Sequence, residues 1–226
     1  MWYDSTFLLL IPAMLIALRA QARVSSALGR WKMVRSASGL TGAQTARRLL
    51  DSNGLTDVAV EQINSDMGDQ YDPSKKVVRL SPEIYGSASV AALSVAAHET
   101  GHALQHAQGY AFLSARTAVF PLARFGSNAA FPLLIIGLLF SFNALINIGI
   151  VLFSFAVLFQ LITLPVEFNA SSRAKVMLKE QGLVDAHEQS GVDEVLNAAA
   201  LTYVAAAFTA IMQLLRLLLL SRNRRR

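Results

Sequence analysis

The sequence predicts a mostly helical α+β chain seated in a membrane, with one small polar domain carried on three or four apolar helices. Three observations predict this class. Of 226 residues, 54% are hydrophobic and only 15% charged, against roughly 25% charged in soluble domains. No residue from Gly126 to Val166 is charged. Between Leu40 and Gln108 the apolar pattern changes from helical to alternating and back. A disordered chain is excluded. With no cysteine, disulfide scaffolds, thiolate catalysis and Cys-ligated zinc are excluded as well, so any metal must sit on His, Asp or Glu.

Residues 5–18 read as a transmembrane helix, short for a span of roughly 17–25 residues, with Trp2 and Tyr3 as interfacial aromatics. Ala20-Gln21-Ala22 resembles a cleavage site, but the basic segment that opens a signal peptide is missing. Asp4 precedes the apolar run, and seven basic residues (Arg19, Arg23, Arg30, Lys32, Arg35, Arg47, Arg48) follow it without an acidic one. An uncleaved anchor is expected, its N-terminus outside and the following domain cytoplasmic.

Residues 19–125 form the polar domain. Leu40–Asn53 is predicted to be an amphipathic helix capped by Thr41 and ended by Asn53-Gly54. Val58–Ile63 and Lys76–Leu80 read as strands, with Gln70-Tyr71-Asp72-Pro73 leading into a turn. Ser81-Pro82-Glu83 starts a helix, and Ser89–Gln108 is a longer one, rich in Ala, Val and Leu. Residues 126–166 are expected to form a hairpin of two spans, because a helix of that length would rise roughly 60 Å, about two bilayer cores. Residues 167–194 are polar and helical. Residues 195–220, interrupted by Gln213 and Arg216, read as a transmembrane or interfacial helix. The terminal Arg222-Asn223-Arg224-Arg225-Arg226 and the first basic run suit anionic lipid head groups, and no nucleic-acid motif accompanies them. Four full spans would leave that basic tail outside, so an interfacial or re-entrant last helix is favoured.

His98-Glu99-Thr100-Gly101-His102 is an HExxH motif on a predicted helix. Residues i and i+4 share a face, so both imidazoles can hold one Zn²⁺ while Glu99 acts as general base on a water there. Gly101 costs the helix about 1 kcal/mol relative to Ala, which suggests that something packs closely against it. The third ligand lies among His106, His187 and the carboxylates. Three ligands on one straight helix cannot converge, so His106 reads as a polar helix end, and His187 sits in a polar, exposed stretch. Glu167 is the first charged residue after a hairpin that returns the chain to the side it left. Asn169 and Arg173 follow about one turn later and are candidates to stabilise an oxyanion. Lys76, Val77, Val78, Arg79 and Leu80 are expected to form a sheet edge that pairs with an extended substrate.

The run Ala97–His106, together with Leu164-Pro165-Val166-Glu167-Phe168-Asn169-Ala170-Ser171, resembles the YugP-like neutral zinc metallopeptidases of bacterial membranes. Thr41-Gly42-Ala43, Tyr71-Asp72-Pro73 and Val78-Arg79-Leu80-Ser81 fit the same pattern. The order of HExxH, two spans and a later Glu is also similar to the heat-shock and CAAX-type membrane peptidases, which are gluzincins. The resemblance implies a zincin-like domain with one Zn²⁺ per chain on His98, His102 and Glu167, and Glu99 as base. Ser171 stands where the heat-shock type has an Asp that supports a ligand histidine, and Gln70 stands where the YugP pattern usually has His. The site-2 type of intramembrane protease, which takes an Asp ligand near Asn-Pro or Asp-Gly, does not fit, since neither dipeptide occurs after Gly126.

The expected function is a multi-pass cell-membrane zinc endopeptidase. Its partners are a protein or peptide substrate, membrane proteins included, and the lipid bilayer, with no nucleic acid. A membrane partner protein or a homo-oligomer is left open. The alternative is a catalytically silent membrane adaptor or scaffold on the same fold.

Overall fold

The computed structural model describes residues 5–64 and 68–223. Trp2, Tyr3 and Asp4, and the terminal Arg224, Arg225 and Arg226, lie outside them. A 3-10 turn, Ser5–Leu9, opens into α1 (Leu10–Lys32). Then follow α2 (Gly42–Ser52), β1 (Ala59–Gln62), β2 (Gln70–Asp72), β3 (Val77–Leu80), α3 (Pro82–Gly86) and α4 (Val90–Ala107). Three long helices complete the chain: α5 (Ala111–Leu139), α6 (Asn143–Glu180) and α7 (Ala186–Asn223).

Local chemistry sets the polar elements. Thr41 Oγ1 accepts from the Gln44 amide while Gln44 Oε1 accepts from the Thr41 amide, a reciprocal cap that starts α2. Asn53 closes that helix, and Gly54 turns the chain away at φ +74°. Arg47 then donates to the carbonyls of Leu55 and Val58 and holds the approach to β1. Ser89 caps α4 by accepting from the Ala92 amide.

The chain divides into two units. The apolar unit takes the described residues up to Gln21, Ser114–Pro165 and those from Thr202 onward. Within it, α5 and α6 are joined by a turn at Phe140–Phe142, where Ser141 takes φ 54°. Ala130, Leu134, Ile146, Ile150, Phe153, Val157 and Leu217 form its core. Large apolar side chains such as Leu139, Ile135 and Val151 face outward, the arrangement a hydrocarbon solvent favours. Arg216 sits with its guanidinium carbon 5.3 Å from the centre of the Phe7 ring.

Among the described residues, four helices are long and apolar enough to cross a membrane: Thr6–Lys32, Ala111–Leu139, Asn143–Glu180 and Ala186–Arg222. Helices overrun the boundaries set by composition. The first continues past residue 18 through the basic run to Lys32, the hairpin begins at Ala111 rather than 126, and Glu167 lies inside α6 instead of opening a new helix. The last apolar segment belongs to one unbroken helix from Ala186. The physical reason is shared: Arg, Lys and Glu are good helix formers, so a change in polarity does not end a helix.

The polar unit comprises Ala22–Leu113 and Val166–Leu201. Its sheet has the order β1-β3-β2, with β1 parallel and β2 antiparallel to β3. This corrects the edge assignment for Lys76, Val77, Val78, Arg79 and Leu80. β3 is the central strand, its two sides taken by β1 and β2, and Val77, Val78 and Leu80 are buried. Gln70–Asp72, read from sequence as the lead into a turn, is the strand that fills one of those sides.

α4 runs through the middle of this unit. Ala96 and Ala103 pack with Val78, Leu80, Ala46 and Leu50, while Val90, Leu93 and Ala97 pack with Trp31, Leu178, Val192 and Leu196. His98 and His102 are carried on the same helix. At Gly101 the neighbouring helix comes close: an added Cβ would lie 2.6 Å from the Ala170 carbonyl oxygen of α6, the close packing that Gly101 announced.

Candidate metal centre

Spacing of i and i+4 on α4 places the His98 and His102 rings edge to face, centroids 4.8 Å apart. Glu167 arrives from α6, one turn before the Ala170 contact. Its Oε2 lies 3.2 Å from His98 Nε2 and 3.5 Å from His102 Nε2. One ligand atom from each of the three residues falls within 4.8 Å of the others.

The donor set fits zinc. Ligands about 2.0–2.1 Å from a tetrahedral ion lie roughly 3.3 Å from one another, and the two N···O separations of 3.2 and 3.5 Å bracket that value. The outer ring nitrogens are already engaged, His98 Nδ1 with Ser171 Oγ at 3.2 Å and His102 Nδ1 with Gln105 Oε1 at 3.0 Å. Both Nε2 atoms therefore face the carboxylate. The Glu167 side chain is 3% exposed, and a buried carboxylate needs a cation. Burial opposes protonation of His102, but the Glu167 carboxylate, Glu99 and Gln105 outweigh it and raise the pKa above the ordinary imidazole value. The pocket is built for positive charge, and a metal ion would displace the proton.

Glu99 is buried and is not one of the three converging ligands. The Tyr71 amide on β2 donates to its Oε2 at 2.9 Å. Among the sequence candidates, Ser171 lies against His98. Asn169 and Arg173 bond to each other and to Gln105 and Gln108 of α4. His106 bonds through Nδ1 to the Tyr71 hydroxyl at 2.9 Å, and His187 packs on Trp31, ring centres 5.4 Å apart; neither is in the ligand group. Val77–Leu80 form the central strand of the sheet, and Lys76 stands exposed in the turn before it, paired with Asp57.

Two contributors were not assigned a role from sequence. Gln105 carries the His102 contact, and its position three residues after a ligand, on the same helix face, is the signal that points to it. The Tyr71 amide carries the Glu99 contact, and a backbone donor leaves no trace in the sequence.

The family described as "Putative neutral zinc metallopeptidase" matches residues 6–222 of the chain. The protein named "Putative membrane protease YugP" of Bacillus subtilis (strain 168) is 51% identical over 219 residues, which cover 96% of each chain. No solved structure matches.

Proposed function

The chain belongs to this zinc metallopeptidase family, and we propose that it is a membrane-bound endopeptidase whose zincin-like polar unit holds one Zn²⁺ on His98, His102 and Glu167. The observation that carries this is the convergence of three acceptor groups, two imidazole Nε2 atoms and one buried carboxylate, on a single point beside the HExxH glutamate.

A bound Zn²⁺ supplies Lewis-acid activation of a water and of a peptide carbonyl. Glu99 supplies the proton traffic. Its Oε2 is anchored by the Tyr71 amide, so Oε1 takes the proton of the attacking water and then delivers it to the leaving amine. Ser171 and Gln105 hold the two imidazoles in place. Because Tyr71 lies on β2 beside Glu99, an extended substrate runs along this strand rather than along β3. The polar unit faces the cytoplasm, on the strength of the basic run that follows the first apolar segment.

The test is a comparison of membranes that contain wild type with membranes that contain Glu99→Gln, read as newly formed protein N-termini. Termini present only with wild type are expected. Identical profiles would overturn the assignment and favour the silent adaptor.

A further inference from the structure

We infer that Gln105 is a positioning residue: a one-way chain of hydrogen bonds that starts at Arg173 fixes the proton of His102 on Nδ1 and so presents the Nε2 lone pair to the metal. The role in metal binding rests on the metallopeptidase assignment; the tautomer does not.

The direction of each bond follows from the one before. Arg173 Nε–H can only donate, so the Asn169 atom 2.7 Å away is the carbonyl oxygen Oδ1. That oxygen can only accept, so the Gln105 atom 2.9 Å from it is the amide nitrogen Nε2. The same nitrogen lies 2.8 Å from the Val166 carbonyl, again only an acceptor. Gln105 is fully buried, and its orientation is thus set twice. Its Oε1 is then left facing His102 Nδ1 at 3.0 Å, and this ring nitrogen must carry a hydrogen; Nε2, 3.5 Å from the Glu167 carboxylate, is the nitrogen whose hydrogen a metal would replace. Arg173 is itself held by Nη1 donating to Gln108 Oε1 at 2.7 Å.

The other ligand is held differently. Ser171 Oγ can donate or accept, so its contact with His98 Nδ1 at 3.2 Å leaves that tautomer open. His102 is thus the pre-set ligand. The same bonds run between α4 and α6, tying Val166, the residue before Glu167, to the helix that carries both histidines.

The test uses the full-length chain in detergent, with zinc affinity from competition with a chromophoric chelator and ¹⁵N-histidine spectra of metal-free Glu167→Ala, in which no carboxylate competes for a hydrogen on His102 Nε2, at a pH where His102 is neutral. Four variants separate hydrogen-bond polarity from space filling. Gln105→Met removes the amide at similar length. Asn169→Asp keeps an acceptor at either atom, whereas Asn169→Leu keeps the bulk alone. Arg173→Met removes the starting donor.

Asn169→Asp should bind zinc like wild type. Gln105→Met and Asn169→Leu should bind it about 10–100-fold more weakly, the usual effect of losing an outer-shell partner, and Arg173→Met should weaken it in the same direction. The Glu167→Ala spectrum should show His102 protonated at Nδ1 alone, and the same chain with Gln105→Met added a mixture of tautomers. Wild-type affinity in Gln105→Met, or equal losses in Asn169→Asp and Asn169→Leu, would overturn the proposal. If wild type bound no zinc, the metallopeptidase assignment would fall, and the Glu167→Ala spectrum would still decide the tautomer: a proton on Nε2 overturns the chain of bonds, and one on Nδ1 upholds it.

Discussion

The Cβ that Gly101 lacks would lie 2.6 Å from the carbonyl oxygen of Ala170. α4 and α6 therefore cross backbone to backbone beside His98, His102 and Glu167, the three candidate ligands. Glu167 stands three residues before the contact and Ser171 one residue after it, so the closeness of this crossing sets how near the carboxylate comes to the imidazoles.

Gly101→Ala should therefore destabilise the protein, even though Ala favours an isolated helix by about 1 kcal/mol. Over-packing of this kind costs about 1–3 kcal/mol, and pushing the helices apart separates the ligands. Thermal unfolding and zinc content measured together check it. A variant that melts no lower than wild type and keeps its zinc would show that the crossing tolerates a methyl group.

Ser171 fills a place where an Asp would support a histidine in the heat-shock type, and its hydroxyl reaches His98 Nδ1. Ser171→Ala should lower zinc affinity about 10–100-fold, and Ser171→Asp should preserve it. If Ser171→Ala binds zinc as wild type does, the hydroxyl is not needed to hold His98.

Asp72 links the sheet to the site, because it follows Tyr71 on β2. Its carboxyl is held down at about 2, first by the Ser74 hydroxyl, then against a smaller opposing effect of burial by Arg79 and the amides of Lys75 and Ser74. A carboxyl with a lowered folded-state pKa stabilises the fold above the ordinary value of about 4, and that contribution disappears as pH falls toward 2. Wild type should thus melt above Asp72→Asn at pH 5, and the gap should close between pH 4 and pH 2. A gap that stays constant over that range would mean that Asp72 titrates as an ordinary carboxylate.

Much of this site was legible because its signals are local and strong. The i, i+4 histidines, the helix cost of Gly101, the Ser89 cap and the long uncharged run before Glu167 each have a fixed meaning in sequence. The order of strands does not. β2 is three residues of Gln-Tyr-Asp, too short to show alternation, and its pairing converts the predicted edge Lys76–Leu80 into the centre of the sheet. Helix ends were missed where Arg or Lys replaced Leu without a breaker, as at Arg19. Gln105 stood in plain view, but the direction of its amide depends on Asn169 and Arg173, more than sixty positions away.

Orientation is open to a direct chemical test, since the chain has no cysteine to give background. Ser52 and Ser74 are both exposed on the polar unit. With that unit cytoplasmic, Ser52→Cys and Ser74→Cys should react with an impermeant thiol reagent only after cells are opened. Labelling in intact cells would reverse the topology.

The central claim is that His98, His102 and Glu167 together make one zinc site. The most direct measurement is zinc bound per purified chain after dialysis against a weak chelator, with Glu167→Ala beside wild type, Glu99→Gln, His106→Ala and His187→Ala. About one zinc per chain is expected in wild type, Glu99→Gln and the two histidine variants, with a loss in Glu167→Ala far beyond the 10–100-fold typical of outer-shell changes. Retention of zinc by Glu167→Ala, with loss in His106→Ala or His187→Ala, would contradict the ligand set.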